Sequence, residues 1–315
     1  DGDGTGDNAD TDDDDDGIPD IADPFPLSNG WAMLESDIDG ESQGDRSGSS
    51  VSLSSDGTIV AIGAPFNDGI GTVLTSRSGH VRIYSFDSGS STWSQMGPDI
   101  DGESVHNESG RSVSLSSDGT TVAIGAPYNS SDVVNSGHVR IYRYDNGSST
   151  WNQVGSDIDG ESTYNQSGYS VSLSSDGTIV AIGAPRNYNN GSNSGHVRIY
   201  SYESASGTWT QVGSDIDGES AHDESGYSVS LSSDGSTVAI GAPDNHGSGS
   251  NFYSGHVRIY NFDTDNDGVP DMMDAFPLDS SESVDTDEDG TGNNADMDDD
   301  NDGVPDIRDA LPLNS

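Results

Sequence analysis

Cysteine is absent from the 315 residues, so no disulfide can staple this chain and any cross-link must be of another kind. Basic residues are scarce: ten Lys and Arg stand against 56 Asp and Glu, a formal net charge of -46. A surface of that sign repels phosphate polymers and anionic lipid, which excludes nucleic acid as a partner. Apolar residues make up only 29 %, and no run approaches the roughly 18 residues that a membrane-spanning helix requires, so no membrane insertion is expected. What fills the chain instead is Gly, Ser, Asn and Asp, the residues of turns, so short strands separated by frequent reversals are expected rather than long helices.

The strands are organised by a repeat, and a fixed period sets the architecture before any single motif does. The words W-x-Q-x-G-x-DIDGES, SG-x-SVSLSSDG, VAIGAP and SGHVRIY recur from Trp93, Trp151 and Trp209, with a worn copy from Trp31. All four tryptophans occupy this one position, and Ile38, Ile100, Ile158 and Ile216 are spaced by 62, 58 and 58 residues. In SVSLS, Val113 and Leu115 alternate with serines, the pattern of a half-buried strand. Ser-Ser-Asp-Gly then reads as a tight hairpin whose Asp-Gly pair supplies positive φ. The following TTVAIGAP is apolar on both faces, as a central strand is, and Pro127 ends it. GHVRIYRY alternates again, and W-x-Q-x-G-x-DI forms a fourth strand after a Gly/Ser turn.

Four strands per repeat is the arithmetic of a β-propeller blade. The phrase G-x-SVSLSSDG-x-x-VAIGAP resembles the FG-GAP repeat of integrin α-subunit propellers, and the likeness spans nearly all of residues 31–262. Calcium-binding members of that family carry D-x-D-G-D between the two strands, whereas here the hairpin is only SSDG; Asp37, Asp39 and Glu41 with their equivalents are the alternative acidic set. The fold class expected is all-β: a four-bladed propeller over 31–262, with residues 31–38 pairing with 255–262 to close the last blade. An open stack, or a larger ring completed by another copy, is the alternative.

The two ends differ from this centre. Residues 1–30 carry eleven acidic side chains and no basic one, and residues 263–315 carry eighteen and a single arginine, Arg308. Their spacing is D-x-D-x-D-G-x-x-D-x-x-D, met at Asp12, Asp14, Asp16, Asp20 and Asp23 and again at Asp263, Asp265, Asp267, Asp271 and Asp274. It recurs at Asp285, Asp287, Asp289, Asn293 and Asp296, and at Asp298, Asp300, Asp302, Asp306 and Asp309. Carboxylates on alternate residues followed by a turn-forming glycine offer the many hard oxygen donors that Ca²⁺ takes at about 2.3–2.6 Å. Mg²⁺ fits poorly because it keeps its waters. With flanks such as PDIADPFPL, PDMMDAFPL and PDIRDALPL, the motif resembles the thrombospondin type 3 repeat, over about 80 residues. That resemblance implies that the first, third, fifth and last acidic positions are side-chain ligands. Residues 1–29 also align with 287–315 at 19 identities, which puts Asp1, Asp3, Asp7 and Asp10 on Asp287, Asp289, Asn293 and Asp296 as a further partial calcium motif. Tandem units of a longer protein, joined through calcium-binding arms, are the expectation from that alignment.

No nucleophile motif, phosphate-binding glycine loop or zinc spacing is present, and no enzyme is expected. His80, His138, His196 and His256 share one repeat position with Arg82, Arg140, Arg198 and Arg258 two residues on, and fourfold equivalence argues for structure rather than catalysis. The expected arrangement is Arg against an Asp of the neighbouring DIDGE turn and His donating to a backbone carbonyl. Ligand recognition belongs to the loops where the copies diverge, with Tyr128, Tyr188, Phe252 and Tyr253 offering aromatic surface to glycan or protein. Asn107, Asn129, Asn146, Asn165 and Asn190 head Asn-x-Ser sequons for glycosylation. The sequence therefore reads as an extracellular or cell-surface, calcium-stabilised structural or adhesive module, self-associating end to end through its arms. A glycan- or protein-binding adhesin is the alternative, and a propeller enzyme a remote one.

Overall fold

The computed structural model describes residues 37–69, 76–130, 133–246 and 254–313, together with Thr11, Pro19, Ile21 and Leu34. They belong to two compact units, residues 1–39 with 86–94, and residues 40–85 with 95–315. In the first, Phe86 and Trp93 stack with centroids 5.2 Å apart. The second carries the repeats and the C-terminal arm.

The protein is all-β, its four antiparallel sheets following one another along the chain as four blades of a β-propeller. The first sheet is built from β1 (Ser50–Leu53), β2 (Ile59–Ala64), β3 (His80–Asp87), β4 (Thr92–Gln95) and β5 (Ile100–Asp101). The second has β6 (Ser112–Leu115), β7 (Thr121–Ala126), β8 (His138–Asp145), β9 (Thr150–Gln153) and β10 (Ile158–Asp159). The third has β11 (Ser170–Leu173), β12 (Ile179–Ala184), β13 (His196–Glu203) and β14 (Thr208–Asp217). The fourth has β15 (Ser228–Leu231), β16 (Thr237–Ala242) and β17 (His256–Asn261). Of the pairing expected between residues 31–38 and 255–262, the first partner lies largely outside the described residues: only Leu34, Asp37 and Ile38 are described there, and none is in a strand.

Each blade follows its sequence closely. The Ser-Ser-Asp-Gly turn brings the Ser116 amide to the Thr121 carbonyl at 2.9 Å. Gly119 alone of the Asp-Gly pair takes positive φ, at 68°. Asp118 instead caps the turn, its Oδ1 accepting from Ser116 Oγ at 2.6 Å and from the Thr120 amide at 2.9 Å. The central strand β7 is buried at every position. The fourth strand, read from sequence as continuous, is split into β9 and β10 around Gly155, whose φ is 74°. In the third blade it runs through as β14, with a register shift opposite Val197 and Ile199.

Blades pack by one rule, used three times. Paired residues of adjacent strands share a face, so Val113, Leu115, Val122 and Ile124 lie on one side of the second blade, its front. Ser112, Ser114, Ala123, Gly125, Val139 and Ile141 lie on the other, its back. The back of the first blade (Ala61, Val81, Ile83, with Ile100) meets the front of the second in one apolar cluster. The second meets the third, and the third the fourth, through the same positions. Directional bonds fix the register of each junction: Ser50, Ser112 and Ser170 hydroxyls donate to the carbonyls of Gly110, Gly168 and Gly226 at 2.8–2.9 Å. Ser52, Ser114 and Ser172 hydroxyls accept the amides of Leu115, Leu173 and Leu231 at 2.9 Å. Trp151 and Trp209 donate from Nε1 to the Met96 and Val154 carbonyls of the blade before, at 2.7 and 2.8 Å. The serines of SVSLS, read from sequence as a polar outer face, are thus hydrogen-bonding faces between blades.

Candidate metal centres

The described C-terminal arm has little apolar core. Met272, Met297 and Ile307 are 69 %, 78 % and 92 % exposed. What shapes it is hydrogen bonding by carboxylates, in a pattern repeated three times. The amides of Gly268, Gly290 and Gly303 donate to Oδ2 of Asp263, Asp285 and Asp298 at 3.0–3.1 Å. Those glycines have φ of 90–94°, which only glycine adopts freely, and so the loop can turn back over its own carboxylates. One oxygen of Asp265, Asp287 and Asp300 takes the amide of Asp267, Asp289 and Asp302 at 3.0–3.2 Å. The remaining oxygens include the buried and donorless Asp263 Oδ1, Asp265 Oδ2, Asp274 Oδ2, Asp285 Oδ1, Asp298 Oδ1 and Asp299 Oδ1.

Oxygens of Asp263, Asp265 and Asp267 lie within 4.8 Å of one another, as do those of Asp285, Asp287 and Asp289. Mutual repulsion shows in the ionisation. Desolvation, with the charges of Asp267, Asp274 and Asp263, pushes the Asp265 carboxyl above its ordinary range. Asp298 is raised likewise, by desolvation and by Asp302, Asp300 and Asp306. Carboxylates held by one oxygen and donorless at the other fit a hard cation, which neutralises them together.

The fourth motif position closes the loop. Both oxygens of Asp271 are taken by Thr264, its amide and its hydroxyl, at 2.7 Å. Asn293 grips Thr286 the same way, Oδ1 accepting the amide at 3.0 Å and Nδ2 donating to Oγ1 at 2.8 Å. Asp306 Oδ1 takes the Asp299 amide at 3.0 Å. The position is a latch that closes the loop, and an asparagine serves it as well as an aspartate. The expected ligands Asp1, Asp3, Asp7, Asp10, Asp12, Asp14, Asp16, Asp20 and Asp23 lie outside the described residues.

In the blades, the histidines meet carboxylates rather than the backbone carbonyls expected. His138 Nδ1 is 3.3 Å from Asp157 Oδ2, and His196 Nδ1 is 3.3 Å from Asp215 Oδ2. The arginines pair with the Glu of the DIDGE turn and with an Asp main chain: Arg140 Nη1 lies 3.5 Å from Glu103 and Nη2 donates to the Asp101 carbonyl at 2.7 Å. Arg198 repeats this with Glu161 and Asp159. The physical reason is length. Arg reaches past the strand to the turn, while the shorter His stops at the Asp flanking the fourth strand. Glu103, His138 and Asp157, with their counterparts in the first and third blades, are close enough for an ion. A guanidinium also lies 3.5–3.7 Å from each Glu, so Glu, Arg, His and Asp together clasp the turn by charge. Burial, then Arg198, depresses the His196 pKa to about 4 against the opposite pull of Asp215 and Asp217, so that imidazole is neutral.

The loops give a surface. Tyr188 is 54 % exposed and Tyr164, a residue that sequence reading passed over, 53 %. Together they line two shallow clefts, of about 240 Å³ with Gln166, Arg186 and Asn193, and of about 290 Å³ with Thr163 and Asn189. Tyr128 is half-buried, and Phe252 and Tyr253 lie outside the described residues. A second missed feature is a ladder at the residue before β6, β11 and β15. Arg111 donates to Tyr169 Oη at 3.0 Å, and Tyr169 stacks on Tyr227 at 4.9 Å. Its signal was the divergence of this one position between otherwise matching copies. Of the sequon asparagines, Asn107, Asn129 and Asn165 are 1–2 % exposed, so the folded protein cannot present them for glycosylation. Asn190 is exposed but bonded to the Gly218 carbonyl, and Asn146 is exposed.

Residues 157–200, from the DIDGE turn through β11, β12 and most of β13, match the FG-GAP repeat family. No curated protein matches the chain. Among solved structures it is similar to a Bacteroides uniformis protein named as a 6-phosphogluconolactonase, with 14 % identity and a TM-score of 0.44 over 67 % of this chain and 49 % of that one. It is also similar to Kuenenia stuttgartiensis hydrazine synthase, with 15 % identity and a TM-score of 0.42 over 68 % of this chain and 52 % of that one. The chain spans about half the length of each. Among the described residues no helix is long and apolar enough to cross a membrane.

Proposed function

We propose that this is an extracellular structural and adhesive module whose FG-GAP propeller is carried on calcium-stiffened arms, one unit of a longer surface protein or filament. The observation that carries the reading is the donorless inward oxygen on carboxylates whose other oxygen is tied down, as in Asp263, Asp265 and Asp274. Ca²⁺ replaces their mutual repulsion with attraction. Because the ion binds the folded arm, it stabilises that form by RT ln(1 + [L]/Kd), about 2.7 kcal/mol at a hundredfold excess over Kd. Weak extracellular sites of this kind operate at about 10⁻⁴–10⁻³ M. The thrombospondin type 3 resemblance of the motifs supports the same reading. No catalytic reaction is assigned, since the repeated His and Arg are spent on holding turns to strands.

Amide hydrogen exchange of the full chain tests it. Residues 263–313 are expected to gain protection as calcium is titrated and to lose it in EGTA, with magnesium a poor substitute. Equal exchange in calcium and in excess EGTA sinks the proposal. A second reading, recognition of glycan or protein by the loops, is favoured by the exposed pair Tyr164 and Tyr188. Tyr188→Ala is then expected to abolish any signal on a glycan array that the unaltered chain gives.

A further inference from the structure

Every blade has a back made to receive a front, but among the described residues one front and one back are uncovered. On the first blade, Val51 and Leu53 are 64 % and 58 % exposed, whereas their counterparts Val113, Leu115, Val171 and Leu173 are 7–8 % exposed. On the fourth, Val257 and Ile259 are 67 % and 71 % exposed, against 0–1 % for Val81, Ile83, Val139 and Ile141. Both surfaces belong to the same compact unit and stay open there.

Among the described residues their polar groups are unmatched in the same register. The hydroxyl of Ser228 stands where Ser50, Ser112 and Ser170 donate to a glycine carbonyl of the next blade. Ser230 stands where Ser52, Ser114 and Ser172 accept a leucine amide. Glycine geometry says the same. A Cβ on Gly63, Gly125 or Gly183 would strike the carbonyl of Gly110, Gly168 or Gly226, whereas one on Gly241 would meet only its own blade's Ser228. The fourth blade thus keeps the glycine that close approach of a fifth would require.

We infer that the back of the fourth blade docks on the front of the first blade of a second copy of this chain, reproducing the junction between blades. In that register Ser228 donates to the Gly48 carbonyl, Ser230 accepts the Leu53 amide, and Val257 and Ile259 cover Val51 and Leu53. The contact joins two different surfaces and is therefore heterologous: it propagates until rotation closes a ring, or indefinitely if it does not. Apolar faces of this kind, rimmed by polar groups, mark interaction sites. The inference rests on the blades alone, not on calcium in the arms.

The absence of cysteine makes the test clean. Inside the chain Ser117 Oγ lies 2.9 Å from Ser175 Oγ across a junction, and the Ser55 and Ser175 amides make the bonds that continue this row to Ser117 and Ser233. Full chain carrying Ser55→Cys and Ser233→Cys is oxidised and run on a non-reducing gel, in calcium and in EGTA. Covalent dimers or a ladder are expected under both conditions, and Ile259→Asp in the same background is expected to remove them. The control pair Ser117→Cys and Ser175→Cys is expected to close within one chain, which shows that the blades are folded. If that control closes while the terminal pair links within a monomer, links not at all, or links chains only when calcium is present, the inference is overturned.

Discussion

The blades and the arm solve one problem, how to hold a chain of few apolar residues, in opposite ways. In the blades a small apolar allotment is concentrated: Ile83, Ile124 and Ile141 are each about 1 % exposed. In the arm most apolar side chains face water, and order comes from carboxylates bonded to backbone amides around groups of like charge. The first solution is expected to be less sensitive to ions than to the loss of a methyl group. The second is the reverse.

The largest expected effect separates them directly. Ile124→Ala leaves a cavity between two blades and is expected to cost about 2–5 kcal/mol, while Ile307→Ala, at 92 % exposure, is expected to stay within about 0.5 kcal/mol. Urea unfolding followed by circular dichroism measures both, and comparable losses would erase the distinction. Next is Gly125→Ala, which drives a methyl into the Gly168 carbonyl; overpacking of this kind is expected to cost about 1–3 kcal/mol or more. Gly241→Ala is expected to cost less in the isolated chain, because only a serine side chain must yield there.

A smaller effect concerns acid. His196 is neutral in the fold, with its pKa lowered to about 4 from 6.5, so the folded state binds fewer protons than the unfolded one. Its contribution is complete above about pH 6.5 and is lost as pH falls toward 4. The raised Asp265 and Asp298 act with the opposite sign: without a cation they weaken the folded arm as pH rises through their range. Acidification in EGTA is therefore expected to loosen the blades while it relieves the arm. Monitoring Trp fluorescence for the blades and amide exchange for residues 263–313 separates the two, and a parallel response would count against this account.

Much of the blade was legible in advance. Alternation in SVSLS and in GHVRIY, the two-sided apolar VAIGAP and the SSDG turn named three strands in each copy, and the fixed spacing of Ile100, Ile158 and Ile216 named the blade. Less legible were side chains whose partners come from elsewhere. Ser112 and Ser114 look polar and outward in a strand pattern, because periodicity reports which face a residue is on and not what lies against that face. Buried Asn107 and Asn165 looked like surface sequons for the same reason. In the arm, spacing identified the carboxylates that crowd together, yet it could not tell Asp265, with a donorless oxygen, from Asp271, spent on Thr264.

The sequence by itself determined the repeat, the strands and the two chemistries, since these follow from local propensity, turn geometry and the period of apolar and acidic residues. Only the tertiary structure decided that serine hydroxyls register one blade on the next, that the Arg of SGHVRIY holds the turn entering its own blade, and that among the described residues the first front and the last back are uncovered. The serine contacts join residues about 60 positions apart and the arginine contacts residues 39–41 apart, and only packing brings such residues together.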